Sequence, residues 1–229
     1  GDDYWEKFNL SHYAPPLRFT DGEQEKPPSI HVPVYDVENV NNYPDMIEPG
    51  TLVNVTLKYH GTSFRAVAWE DKFYCGSRNT WKKEDSNNLY WKPVQKYPLI
   101  KEFCTKNPGV VVYGEIYGPK VQSLHYGVSS GNIDFAVFDI YDAVYRKFFD
   151  LEISWGLAEE LPWAHSFGIV PYDINVFKEL VEWDDPVAAK QGVKQVTEGL
   201  VIRPLEEKFS LKIGRVILKL ISNRYYLEK

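Results

Sequence analysis

Leu52-Val-Asn-Val-Thr-Leu-Lys-Tyr-His-Gly61 runs on with two further residues into Phe64-Arg-Ala-Val-Ala-Trp69. Both runs are rich in β-branched and aromatic residues. The chain between them is too short for a helical crossover, which predicts neighbouring antiparallel strands. A period of two puts Val53, Val55 and Leu57 on one face of the first run, and Asn54, Thr56 and Lys58 on the other. Lys58 therefore ends a strand on its polar side, beside a turn at His60-Gly61. A solvated strand lysine would look the same, so its neighbours decide.

Further β-type runs follow at Val110–Tyr117, Phe135–Ile140, Gly199–Pro204 and Arg215–Ile221, with a hairpin turn expected at Asp71-Lys72 before Phe73-Tyr-Cys75. Helices are expected at Pro98–Lys106, closed by Asn107-Pro-Gly109, and at Asp173–Trp183, where Ile174, Phe177, Leu180 and Val181 form one stripe. This pattern predicts an α+β domain built on antiparallel sheet and flanked by helices. Residues 1–30, with four prolines and the polar run Thr20–Lys26, read as an extended lead-in or linker, leaving 31–229 as the domain.

The chain has 229 residues, 44% of them hydrophobic, enough for a real core. No stretch approaches the roughly 20 apolar residues of a membrane helix, and no secretory signal stands at the N-terminus. A cytoplasmic setting is expected. The two cysteines, Cys75 and Cys104, have no metal-type spacing and read as ordinary buried thiols. A net charge of −6 argues against holding nucleic acid by bulk electrostatics, so such contacts must be local. Charge is uneven: residues 1–50 carry ten acids and three bases, whereas Phe209–Lys229 carry five bases and one acid, which marks the C-terminal end for phosphates.

Charges also stand where apolar residues belong. Both faces of Arg215-Val-Ile-Leu-Lys-Leu-Ile221 are apolar, so Lys219 needs an anionic partner, structural or bound. Glu115 lies within Val110–Gly118 among mostly apolar residues, and Glu198 opens Gly199-Leu-Val-Ile202. Two lysines and two carboxylates in β runs are the ingredients of a metal-assisted phosphoryl site, although spacing alone does not make them converge. The sequence has no Gly-rich phosphate loop, dinucleotide fingerprint, H-E-x-x-H set or G-x-S-x-G elbow.

Taken in order, Lys58-Tyr-His-Gly61, Gly76-Ser-Arg78, Tyr113-Gly-Glu-Ile-Tyr-Gly118, Asp134-Phe-Ala-Val-Phe-Asp-Ile140, Glu198-Gly-Leu-Val-Ile-Arg203 and Arg215-Val-Ile-Leu-Lys219 resemble the motifs of the covalent nucleotidyltransferase superfamily. Histidine at position 60 resembles ATP-dependent RNA ligases of the phage RNA ligase 2 type. Val32-Pro-Val-Tyr-Asp-Val-Glu38 and Asn79–Trp91 are similar to Deinococcus-type RNA ligases.

The resemblance implies a nucleotidyltransferase (ATP-grasp-like ligase) domain in which Lys58 attacks the ATP α-phosphate. His60 and Gly61 would shape the adjoining turn, Arg78 contact ribose or phosphate, Glu115 bind the ribose hydroxyls and Phe138 stack on adenine. Glu198 would hold Mg²⁺ or Mn²⁺, and Lys219 would grip the α-phosphate. Arg203 takes a place where relatives often carry lysine. Attack needs a neutral amine, which nearby cations would favour.

The implied activity is joining of an RNA 5′-phosphate to a 3′-hydroxyl, most simply at a nick in a duplex, by a monomer. A second lysine common in relatives falls at Ile221, with Lys212, Arg215 and Arg224 as candidate substitutes. Relatives also carry a further RNA-gripping domain, so the chain is expected to be part of a longer ligase. Alternatives are a noncatalytic module that binds nucleotide or RNA ends, and a DNA ligase or capping-type enzyme.

Overall fold

The computed structural model describes residues 23–228; most of the expected lead-in lies outside the described residues. Two antiparallel-rich sheets carry the architecture. The larger has seven strands, in the order Gln24–Glu25, Trp81–Lys82, Lys72–Ser77, Thr62–Trp69, Val110–Tyr117, Asp134–Asp142 and Lys147–Phe148. The smaller has five, in the order Ser166–Pro171, Leu52–Lys58, Gly199–Pro204, Leu218–Ile221 and Glu38–Asn39, of which the last pairs in parallel. The α+β antiparallel architecture is therefore present.

Alternation along the strands builds the two largest of four apolar clusters among the described residues. Val53 and Val55 pack with Leu200, Ile202, Leu218 and Leu220 against Phe177 and Val181, at the end of the helix Ile174–Leu180. In the larger sheet Phe64, Ala66 and Val112 pack against Ile100 and Cys104 of the helix Leu99–Lys106. Burial at about 25 cal/mol per Å² of apolar surface fixes these faces inward. The opposite faces carry the polar residues: Asn54, Thr56 and Lys58 in one sheet, Ser63 and Glu115 in the other. Both cysteines are free and buried, as expected.

Three local expectations are corrected. The hairpin turn is Glu70-Asp71, both at positive φ, while Lys72 already pairs with Trp69; a two-residue turn of this kind matches strand twist. The run expected as one strand at Arg215–Ile221 is divided, with Gly214–Arg215 in a small hairpin with Phe209–Ser210 and Leu218–Ile221 in the five-stranded sheet. The strands Ser166–Pro171 and Glu38–Asn39 were not foreseen. Both are edge strands, where half-exposed faces blur the alternation. Gln24–Glu25, inside the segment read as lead-in, pairs with Trp81–Lys82 at the edge of the larger sheet.

Candidate active site

The register of the smaller sheet assembles the site. Lys58 stands opposite Gly199, one residue from Glu198, and Val201 stands between Thr56 on one side and Lys219 on the other. Lys58 Nζ donates to Glu198 Oε1 at 2.7 Å. Across from this face, Glu115 pairs with Ser63 in the larger sheet. A cleft between the two surfaces is lined by Lys58, Lys219, Glu115, Arg78, Phe138 and Arg203, together with Thr56, Ser63 and Val201.

The partner of Lys58 is an anion, Glu198, where the sequence pointed to surrounding cations. Lys219 is half-buried and lines the cleft, with no carboxylate in ion-pair distance among the described residues. Burial pushes the Glu115 carboxyl up to about 8; the Lys58 ammonium and the Gly61 backbone pull against this, and Glu198 adds to it. A neutral carboxyl can both donate and accept hydrogen bonds, which suits sugar hydroxyls.

The Lys-x-His-Gly residues divide their work. Gly61 is needed because a Cβ there would collide with the carbonyl oxygen of Ile116, so only glycine lets the two strands approach beside Glu115. His60 is buried away from the cleft lining: its backbone N–H donates to the Tyr126 hydroxyl at 2.6 Å, and its ring stands edge-on to Tyr225. The structure thus places His60 in the scaffold of the turn.

Arg78 reaches the cleft from the turn after Lys72–Ser77 and donates to Asp36 at 2.7 Å. Arg203 lines the cleft, but its donors are already committed to Asp139 at 3.0 Å, to Glu207 at 2.8 Å and to the Phe149 carbonyl. Arg215 joins the same network through Asp139 and Glu207, and Arg224 is held by Asp184 and the Glu182 carbonyl. Two of the three candidate substitutes for the second lysine are therefore engaged elsewhere. Lys212 is exposed on the small hairpin and does not line the cleft.

Phe138 lines the cleft and packs on Tyr35, with ring centroids 4.7 Å apart. Tyr35, Trp155 and Trp163 also line it and were missed from the sequence. The Tyr35 hydroxyl donates to Asp139 at 2.8 Å, which ties the aromatic wall to the Arg203–Arg215 network. A usable signal was present for Tyr35, in the Val32–Glu38 segment noted for its resemblance; the tryptophans carried none.

Among the described residues no three His, Cys, Asp or Glu side chains cluster as a ready-made metal site. Glu198 and Glu115 are hard oxygen donors close enough to influence each other. One or two carboxylates, completed by water and phosphate oxygens, is the usual donor set for Mg²⁺, so the residues fit such an ion.

A strand-end lysine bonded to a carboxylate and a second lysine, with no ion-pair partner among the described residues, thus line one aromatic-walled cleft. A profile of the RNA ligase family matches residues 51–221, and the chain belongs to that family, a class of RNA-joining enzymes. Among solved structures it is similar to Naegleria gruberi RNA ligase with PPi, at 23% identity and a TM-score of 0.74, over 99% of this chain and 67% of that one. Two variants of the Naegleria enzyme match alike: one with ATP and Mn, at 24% identity and TM-score 0.73 over 100% and 68% of the respective chains, and one with AMP and Mn, at 23% and 0.75 over 100% and 68%. No curated protein sequence matches. No helix of the described residues is long and apolar enough to cross a membrane.

Proposed function

We propose that this RNA ligase is ATP-dependent and works through a covalent lysyl-AMP at Lys58. The observation that carries the reading is the meeting of the Lys58 amine, bonded to Glu198 at 2.7 Å, with Lys219 and Glu115 in one cleft. Structures of the similar Naegleria enzyme include ATP and AMP with Mn, which supports adenosine nucleotides here.

In the first step Lys58 Nζ gives up its proton, for which Glu198 Oε1 is a bonded acceptor. Nζ then attacks the α-phosphorus, a P–N bond forms and the bond to the leaving pyrophosphate breaks. Lys219 neutralises charge growing on the α-phosphate. Phe138, backed by Tyr35, offers a face to adenine, Glu115 addresses the ribose hydroxyls and Arg78 reaches ribose or phosphate from the rim. A divalent cation held at Glu198, directly or through water, would add charge neutralisation on the phosphates. Gly61 and His60 hold the turn that aims Lys58. Arg203 acts through the network that fixes the aromatic wall.

Two further transfers complete the reaction. The 5′-phosphate of an RNA strand attacks the lysyl-AMP, breaking the P–N bond and forming an adenylylated RNA end. The 3′-hydroxyl of the other strand then attacks that end and releases AMP. We place the two ends at a nick in a duplex and the enzyme as a monomer.

Incubation with ATP and Mg²⁺ or Mn²⁺ should add one AMP mass to the chain, located at Lys58 by peptide mapping and absent from Lys58→Ala. ATP that binds without an adduct would favour a binding module instead.

A further inference from the structure

A second cationic site stands beside the cleft on the same face of the larger sheet. Arg65 pairs with Tyr113, two residues along each strand from the Ser63–Glu115 pair. It is 5% exposed, and its guanidinium lies 4.3 Å from the centroid of the Trp81 ring. Among the described residues its hydrogen bonding amounts to one long bond, from NH1 to the Val32 carbonyl at 3.4 Å, while Nε is buried without a partner. Among the described residues no carboxylate stands in ion-pair distance of it. Arg203 and Arg215, the other deeply set arginines, each hold two carboxylates. Burying a guanidinium without an anion is costly, so this one is arranged for an anion that arrives from outside.

The guanidinium borders an open depression lined by Ser29, His31, Asn79, Thr80, Trp81 and Glu25. The Glu25 carboxylate is already taken by Lys72 at 2.6 Å and by the Lys26 backbone N–H. A planar guanidinium stacked on an indole keeps its N–H edge for bidentate contact with a phosphate. The turn at 77–80 separates the two spaces: Arg78 lines the nucleotide cleft, Asn79 and Thr80 the depression. Two residues of strand amount to about 7 Å. Arg65 therefore lies within a few nucleotides' reach of a 5′-phosphate held in the cleft.

We propose that Arg65 and Trp81 form a phosphate-binding site that holds a backbone phosphate of the RNA beside the nucleotide cleft; this rests on the RNA-ligase reading above.

The test compares wild type with Arg65→Met and Arg65→Lys, using a nicked RNA duplex bearing a 5′-phosphate, without ATP, in fluorescence anisotropy over a salt series. Arg65→Met should bind about tenfold more weakly. Its plot of log affinity against log salt should be shallower by about one. Arg65→Lys should keep the wild-type slope yet bind more weakly, because it retains charge without the fork. ATP-dependent adduct formation should be unchanged in both variants, and melting of Arg65→Met should not fall, since an unpaired buried charge is gone.

Melting in inorganic phosphate against chloride at equal ionic strength separates the two sources of the anion. Phosphate that stabilises wild type but not Arg65→Met, with RNA binding equal in both, would assign the site to free phosphate and overturn the RNA contact. Equal RNA affinity, salt slope and phosphate response, with or without a loss of melting temperature, would reduce Arg65 to a packing partner of Trp81. If Arg65→Met fails to fold, the slope and affinity of Arg65→Lys decide. Failure of wild type to form the AMP adduct would sink the ligase reading separately, because these binding measurements use no ATP.

Discussion

Replacing Glu115 by glutamine tests the electrostatics of the cleft through stability alone. Burial holds this carboxyl up to about 8, against 4.5 for the ordinary group. Below 4.5 both folded and unfolded chains carry the proton, and ionisation costs nothing. Between 4.5 and 8 the unfolded chain releases the proton while the folded one retains it, so folding stability falls as pH rises, at about 1.4 kcal/mol per pH unit. The full span sets a ceiling of about 4.8 kcal/mol. Glu115 is only half-buried and opens on the solvated cleft, which reduces the effect to roughly 2 kcal/mol. Glu115→Gln removes this slope. From pH 5 to pH 8 the variant should gain about 2 kcal/mol on wild type, or about 4–8 °C in melting temperature for a chain of this size. Paired thermal melts across that range read the difference directly. A difference between the two proteins that stays flat with pH would refute the raised carboxyl.

Asp139→Asn should destabilise the fold by about 3–5 kcal/mol in chemical denaturation, because it leaves the buried guanidinium groups of Arg203 and Arg215 short of a charge. Gly61→Ala drives a methyl group into the Ile116 carbonyl, so it should cost about 3 kcal/mol or more and displace Glu115; an unchanged melting temperature would contradict the close approach. Glu198→Gln should slow AMP-adduct formation by roughly a hundredfold, measured as the rate of mass gain, while leaving the fold intact.

Most of the architecture was legible because burial imposes a period of two. Val53, Val55 and Leu57 announced both their strand and the polar face that ends in Lys58, and the Ile174–Val181 stripe announced a helix. Lys219 and Glu115 were visible as charges in apolar runs, and both face the cleft. What stayed hidden depends on contacts between distant segments. Nothing near Arg203 in the chain predicts Asp139, 64 residues away, so a residue expected at the nucleotide turned out to be tied into a buried ionic network. The break before Leu218–Ile221 escaped notice for a related reason: Arg215 is drawn into that network while its apolar neighbours still read as strand. His60 was read as shaping the turn, and what the sequence could not show is that its side chain packs on Tyr225, 165 residues away. Trp155 and Trp163 carried no periodic signal, and only the folded chain brings them to the cleft wall.

The most direct test of the account is intact mass spectrometry of the chain after exposure to ATP and a divalent cation, with peptide mapping. Wild type should gain a single AMP, carried on Lys58 and lost in Lys58→Ala. A wild-type chain that gains no mass, or an adduct mapped to any other residue, would contradict it.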